Sequence, residues 1–166
     1  SIFLKIFIVI FLFSSCSSTS TNKKISQLSD TEIYSKGLEA FKKGNFNKAT
    51  LEFDDVFLNY PFSSLASKSE IMSAYSLYQN NEITKAIRKL NSFIEMNPKG
   101  ELNQYAHYLL AMCYYAKVSS ENRDPGASIK SLNFFKLIIT KYPNTKYAKD
   151  AKLKIQFLKN TLAKNE

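Results

Sequence analysis

The sequence has 166 residues, 45% of them apolar and 22% charged, a balance that suits one compact domain or a short repeat array with a real core. Four glycines and four prolines are too few for collagen-like, low-complexity or turn-dense β folds, so a mostly helical chain is expected. The formal charge of +9, from 23 basic and 14 acidic residues, raises polyanions as partners, but Arg88 and Arg123 are the only arginines. Arginine is the residue suited to bidentate phosphate and base contacts, so a scattered lysine surplus reads as solvated faces and no nucleic-acid partner is expected.

Residues 1–15, SIFLKIFIVIFLFSS, hold an apolar run from Ile6 to Phe13 behind Lys5, followed by small residues. The run is too short to span a bilayer and fits a secretory signal peptide, which is excluded from the fold. Leu12-Phe13-Ser14-Ser15-Cys16 resembles the bacterial lipobox, in which an apolar residue and two small ones precede a cysteine that is diacylated and becomes the new N-terminus. Phe13 stands where Leu is usual. The alternative is an ordinary signal with an incidental cysteine; the place of Cys16, after the apolar run and before polar Ser17 to Lys24, favours lipidation. Acyl chains on the sulfur would hold a soluble domain on the membrane, and no cofactor is expected beyond this covalent lipid. Residue 17 is Ser and not Asp, the residue associated with inner-membrane retention, so the resemblance implies the outer membrane. Residues 16–29 read as lipidated cysteine and flexible tether, and loss of Lys5 leaves a mature charge of +8.

From residue 30 onward the chain repeats itself. Tyr60-Pro61 and Asn97-Pro98 lie 37 residues apart, and Tyr142-Pro143 follows 45 residues later. The first unit has Gly37, Gly44, Ala49, Phe53, Val56 and Pro61, and the second has Ala74, Ala86, Leu90, Phe93 and Pro98, with Asn81 in place of the turn glycine. The third has Ala111, Ser131, Phe135, Ile138 and Pro143, with eight extra residues placed in VSSENRDPGA, 118–127. Paired helices approach closely only where one contributes a small residue beneath a large one, and proline closes the second helix. These spacings resemble the tetratricopeptide pattern. They predict an all-α, tetratricopeptide-like helical solenoid of about three helix pairs plus one helix: 30–43, 46–59, 64–79, 82–96, 102–117, 126–141 and 146–163. Ser29-x-x-Glu32 predicts a capping box on the first. The repeats run about 30–61, 64–98 and 102–143, with a partial unit at 146–163. The last helix has an apolar rhythm and no following partner, and the chain opens on Ser1, so a piece of a longer chain, cut at the C-terminal side, is expected.

No catalytic constellation is present in the sequence, and a non-enzyme is expected. His107 is the single histidine, too little for a metal cluster or a triad, and reads as a packed helix residue. Cys113 lies in an apolar helix and reads as a small buried hydrophobe. The first helix of each tetratricopeptide pair lines the concave surface, which places Tyr34, Phe41, Tyr75, Tyr78, Tyr108, Met112 and Tyr115 there. A tyrosine ring covers apolar side chains while its hydroxyl reaches backbone groups, so this group suits an extended peptide with an aromatic end. The competing role for each is packing between repeats.

The lipobox, EIYSKGLEAFKKGNFNKA (32–49), LNYPFSSLA (58–66), IEMNPKG (94–100), RDP (Arg123, Asp124, Pro125), KYPNTKYAKDA (141–151) and FLKNTLAKNE (157–166) together resemble the BamD family of outer-membrane-protein assembly lipoproteins. Tyr60-Pro61-Phe62 and Arg123-Asp124-Pro125 are the strings most particular to that family. The family has five repeats, so three and the opening helix of a fourth are represented here. The resemblance implies a scaffold at the periplasmic face of the outer membrane. It implies as partners a BamA-type barrel insertase, other assembly-machinery lipoproteins, and the C-terminal peptides of unfolded β-barrel proteins, which end in an aromatic residue. The competing class is a tetratricopeptide lipoprotein adaptor for peptidoglycan, the Tol system or a secretin.

Overall fold

The computed structural model describes residues 28–118 and 125–163; Cys16, Arg123 and Asp124 lie outside the described residues. Among the described residues seven α-helices follow one another: α1 Asp30–Lys42, α2 Phe46–Asn59, α3 Ala66–Gln79, α4 Ile83–Met96, α5 Asn103–Val118, α6 Pro125–Lys141 and α7 Lys146–Ala163. Each packs on the next, and α5 also touches α3 and α7, so the first helices of successive pairs stack side by side. This is the all-α, tetratricopeptide-like array expected from the spacing. None of the described helices is long and apolar enough to cross a membrane.

Local chemistry sets the helix ends. Ser29 caps α1 with a full capping box: its hydroxyl accepts from the Glu32 N–H at 3.2 Å, while the Glu32 carboxylate accepts from the Ser29 N–H at 2.8 Å. Tyr60 and Asn97 end α2 and α4 with nearly the same backbone, φ −129°, ψ 55° and φ −123°, ψ 55°, because the proline that follows each one disfavours a further helical residue. Pro125 instead opens α6, where a missing N–H costs nothing. The turn between α1 and α2 uses Gly44 at φ 74°, and the turn between α3 and α4 uses Asn81 at φ 60°. Asparagine therefore does replace the turn glycine, since its short polar side chain tolerates the left-handed region. Helix α3 begins at Ala66, two residues later than expected, because Ser63 and Ser64 belong to the turn: the Leu65 N–H donates to the Ser63 hydroxyl at 3.0 Å.

The core is three connected clusters, one for each pair. Ala49, Phe53 and Val56 are fully buried in the first, Ala86, Leu90 and Phe93 in the second, and Phe135 and Ile138 in the third. Ser131 takes the alanine position in the third pair, where its buried hydroxyl donates to the Ala111 carbonyl at 3.1 Å and so carries no unpaired polar atom into the core. Cys113 is a free thiol buried in the second cluster. Burial pushes its pKa up to about 12, which suppresses the thiolate and makes it a hydrophobe in effect. His107 is buried too, its Nδ1–H donating to the Asn103 carbonyl at 2.7 Å.

Candidate functional site

The first helices of the pairs share a line of aromatic rings. On α1, Phe41 lies 5.2 Å from Phe46 and 5.2 Å from Tyr75 of α3, centroid to centroid. Tyr75 stacks near-parallel on Tyr78 at 6.3 Å and meets Tyr105 of α5 edge-on at 6.4 Å. Tyr105 then reaches Tyr147 of α7 at 5.6 Å, and Tyr147 packs 5.0 Å from Tyr108. The chain of contacts Phe41, Tyr75, Tyr105, Tyr147, Tyr108 crosses four helices, and all five rings are half-buried. Each is held by its neighbour yet keeps part of its surface open, and tyrosine, with an apolar ring and a polar tip, is enriched at binding surfaces.

Polar groups fix the rings in place. The Tyr108 hydroxyl donates to Oδ2 of Asp150 at 2.7 Å, which ties α5 to α7. Lys154 sits 3.7 Å from the same carboxylate and 5.0 Å above the Tyr115 ring, and Lys146 lies 5.3 Å above the Tyr147 ring. Gln79 Nε2 donates to the Tyr75 hydroxyl at 2.7 Å. Burial raises the pKa of Tyr78, Tyr105, Tyr108 and Tyr115, and for Tyr108 the hydrogen bond to Asp150 adds to it. These phenols therefore stay protonated at physiological pH and offer hydroxyl groups, not charge, to a ligand.

The residues expected on the concave surface divide between two places. Phe41, Tyr75, Tyr78 and Tyr108 come together on the aromatic line. Tyr34 does not: it is only 7% exposed, packs in the core of the first pair with its ring 5.4 Å from Phe53, and has Lys68 above it at 5.5 Å. Met112 and Tyr115 pack against the third cluster, as Tyr108 also does, with Tyr115 6.2 Å from Phe135 and 5.7 Å from Phe157, but neither has a ring contact with the line. Pro125 serves as the first residue of α6. Two members of the line, Tyr105 and Tyr147, are not among the residues that the repeat pattern placed there. Tyr105 precedes Met112 by seven residues, two helical turns, so its face was legible from periodicity. Tyr147 had no such signal. Among the described residues no group of three or more His, Cys, Asp or Glu side chains could hold a metal ion.

The YfiO family, described as outer membrane lipoprotein, matches residues 26–166. The chain belongs to that family. Relatives named outer membrane protein assembly factor BamD include one from Caulobacter vibrioides, 36% identical over 134 residues, covering 81% of this chain and 44% of the relative. The corresponding protein of Rickettsia prowazekii is 37% identical over 134 residues, covering 81% of this chain and 53% of its own length. That of Neisseria meningitidis serogroup B is 25% identical over 167 residues, covering 92% and 62%. The chain thus spans about half the length of the curated relatives it matches.

Proposed function

We propose that this protein is an assembly factor for outer membrane proteins: a non-enzymatic lipoprotein scaffold, held by lipid on Cys16 at the periplasmic face of the outer membrane, whose aromatic groove takes the C-terminal segments of unfolded β-barrel proteins. Family membership and the names of the relatives support the assembly role. The observation that carries the peptide reading is the unbroken aromatic line from Phe41 to Tyr108, half-open on every ring. An extended peptide ending in an aromatic residue matches it. Its terminal ring adds to the line, its backbone meets neutral hydroxyls, and Lys146 and Lys154 supply positive charge beside Tyr147 and Tyr115. The partners in this reading are a BamA-type barrel insertase and other lipoproteins of the assembly machinery.

Fluorescence anisotropy with a labelled peptide bearing such an end tests the groove. Combined Tyr75→Ala and Tyr78→Ala lowers affinity by about tenfold or more while helical circular dichroism is retained. Unchanged affinity in a folded double variant overturns it. The assembly role is tested apart from the groove, by pull-down of the lipoprotein from membranes: recovery of a barrel insertase supports it, whereas recovery of cell-wall or secretin components alone supports an adaptor.

A further inference from the structure

Antiparallel pairing puts the turns between successive pairs, after α2, α4 and α6, along one edge of the array, and the turns within pairs along the other. The start of α1 belongs to the first of these edges. The Tyr60 hydroxyl donates to the Leu28 carbonyl at 2.5 Å, and the Ser63 hydroxyl donates to the Asp30 carboxylate. The segment leading to Cys16 therefore joins the fold beside the turn that follows α2.

That turn carries Phe62, which is fully exposed, while its neighbours Tyr60 and Leu65 pack on the first cluster. Leu58 and Met96, at the ends of α2 and α4, are 70% and 58% exposed on the same edge. Exposed Lys68, Lys99, Lys141 and Lys146 stand near these turns, together with the acidic Asp30, Glu32, Glu95 and Glu101. On the opposite edge the described turn residues, Lys43, Gly44, Asn45, Asn80, Asn81 and Glu82, are polar or glycine. A ring that gives nothing to the fold and stands wholly in water gains free energy from whatever contact covers it.

We propose that the edge tipped by Phe62 is a membrane-contact surface, lying against the lipid interface next to the Cys16 anchor; this rests on the reading of Cys16 as lipidated. Residues 17–27 separate Cys16 from Leu28, at most about 40 Å of extended chain, so the edge at which that segment joins the fold stays within that reach of its point of attachment. Apolar tips standing out from an edge of balanced charge are the chemistry of a contact made by inserting apolar side chains into the lipid interface. One lipid leaves a domain free to tumble, whereas a second contact fixes which way the aromatic groove faces.

The chain has no tryptophan, so single Phe62→Trp and Leu51→Trp substitutions give clean optical probes, Leu51 being 70% exposed in the middle of α2 and away from the edge. The lipidated protein is reconstituted in phosphatidylethanolamine and phosphatidylglycerol vesicles, with and without brominated acyl chains. Emission from the Phe62→Trp variant shifts to shorter wavelength and is quenched by the brominated lipid, while that from Leu51→Trp is not. Phe62→Asp exchanges between vesicles about tenfold faster. Flotation of Phe62→Trp with the vesicles without quenching of its indole overturns the inference alone; failure to float removes the anchor and the inference with it. A blue shift without vesicles that grows with protein concentration assigns the edge to a second copy of the chain and overturns it as well.

Discussion

Gly37 of α1 lies directly beneath the ring of Phe53 on α2, so close that a Cβ on the glycine would stand 2.7 Å from Cε1 and 2.9 Å from Cδ1. Phe53 is fully buried and also supports Tyr34, so its ring has nowhere to go. Overpacking of this kind costs about 1–3 kcal/mol, and the better helix propensity of Ala returns at most about 1 kcal/mol. Gly37→Ala therefore lowers stability in urea unfolding, and it does so without reaching any ring of the aromatic line.

Gly44 presents the opposite case. Nothing lies within 4 Å of a Cβ built there, yet its φ is 74°. The cost of Gly44→Ala is then backbone strain alone, about 1 kcal/mol. Gly44→Asn costs less than Gly44→Ala, because Asn81 occupies the same kind of turn at φ 60°. Equal unfolding midpoints for the two variants would refute this account.

Glu70 of α3 is 3% exposed, facing Lys89 of α4 and Asp54 of α2, which bond each other at 2.7 Å. Burial raises its pKa above the ordinary 4.5, with Lys89 opposing and Asp54 adding to the effect. The folded chain thus holds this proton more tightly than the unfolded one. The contribution to stability is complete below about pH 4.5 and is lost as pH rises through the folded pKa, a tenfold difference in proton affinity being worth about 1.4 kcal/mol. Glu70→Gln accordingly melts at a higher temperature than the parent near neutral pH, and the gap closes on acidification. Thermal melts across a pH series check both the sign and the window.

His107 acts with the opposite sign. Burial lowers its pKa below 6.5, and Lys141 pushes the same way, while its bond to the Asn103 carbonyl opposes them. Its contribution is present above about pH 6.5 and is lost as pH falls through the folded pKa. His107→Gln flattens the loss of stability on mild acidification, measured by the same melts.

Tyr108→Phe keeps the ring on the aromatic line and removes only the 2.7 Å bond to Asp150. Asp150 remains near Lys154 and partly open to solvent, so the cost is about 0.5–1.5 kcal/mol, below the about 1.5–3 kcal/mol of a bond to a charged acceptor that is left unpaired. Peptide affinity should fall less than for Tyr75→Ala with Tyr78→Ala, because the stacked surface survives. A loss as large as that of the double variant would assign binding to the hydroxyl and not to the rings.

The seven helices, the small-under-large pairs at Gly37, Ala49 and Ala86, the Ser29 cap and the left-handed Asn81 were all legible in the sequence. They depend on helical periodicity, on chirality and on hydrogen bonds three or four residues long, which neighbouring residues carry by themselves. The aromatic line was legible only in part. Tyr34 and Phe41 lie on one helix two turns apart and look alike in sequence, but Tyr34 packs onto Phe53 of α2 whereas Phe41 meets Tyr75 of α3. Tyr147 joins Tyr105 to Tyr108 only because α7 packs beside α5. Phe62, part of a family-specific string in the sequence, becomes an exposed tip once Tyr60 is seen turned inward to Leu28. Residue spacing determined which elements form and which residues can approach; the relative placement of helices distant in sequence decided which rings join the half-open line, and that depends on packing between elements.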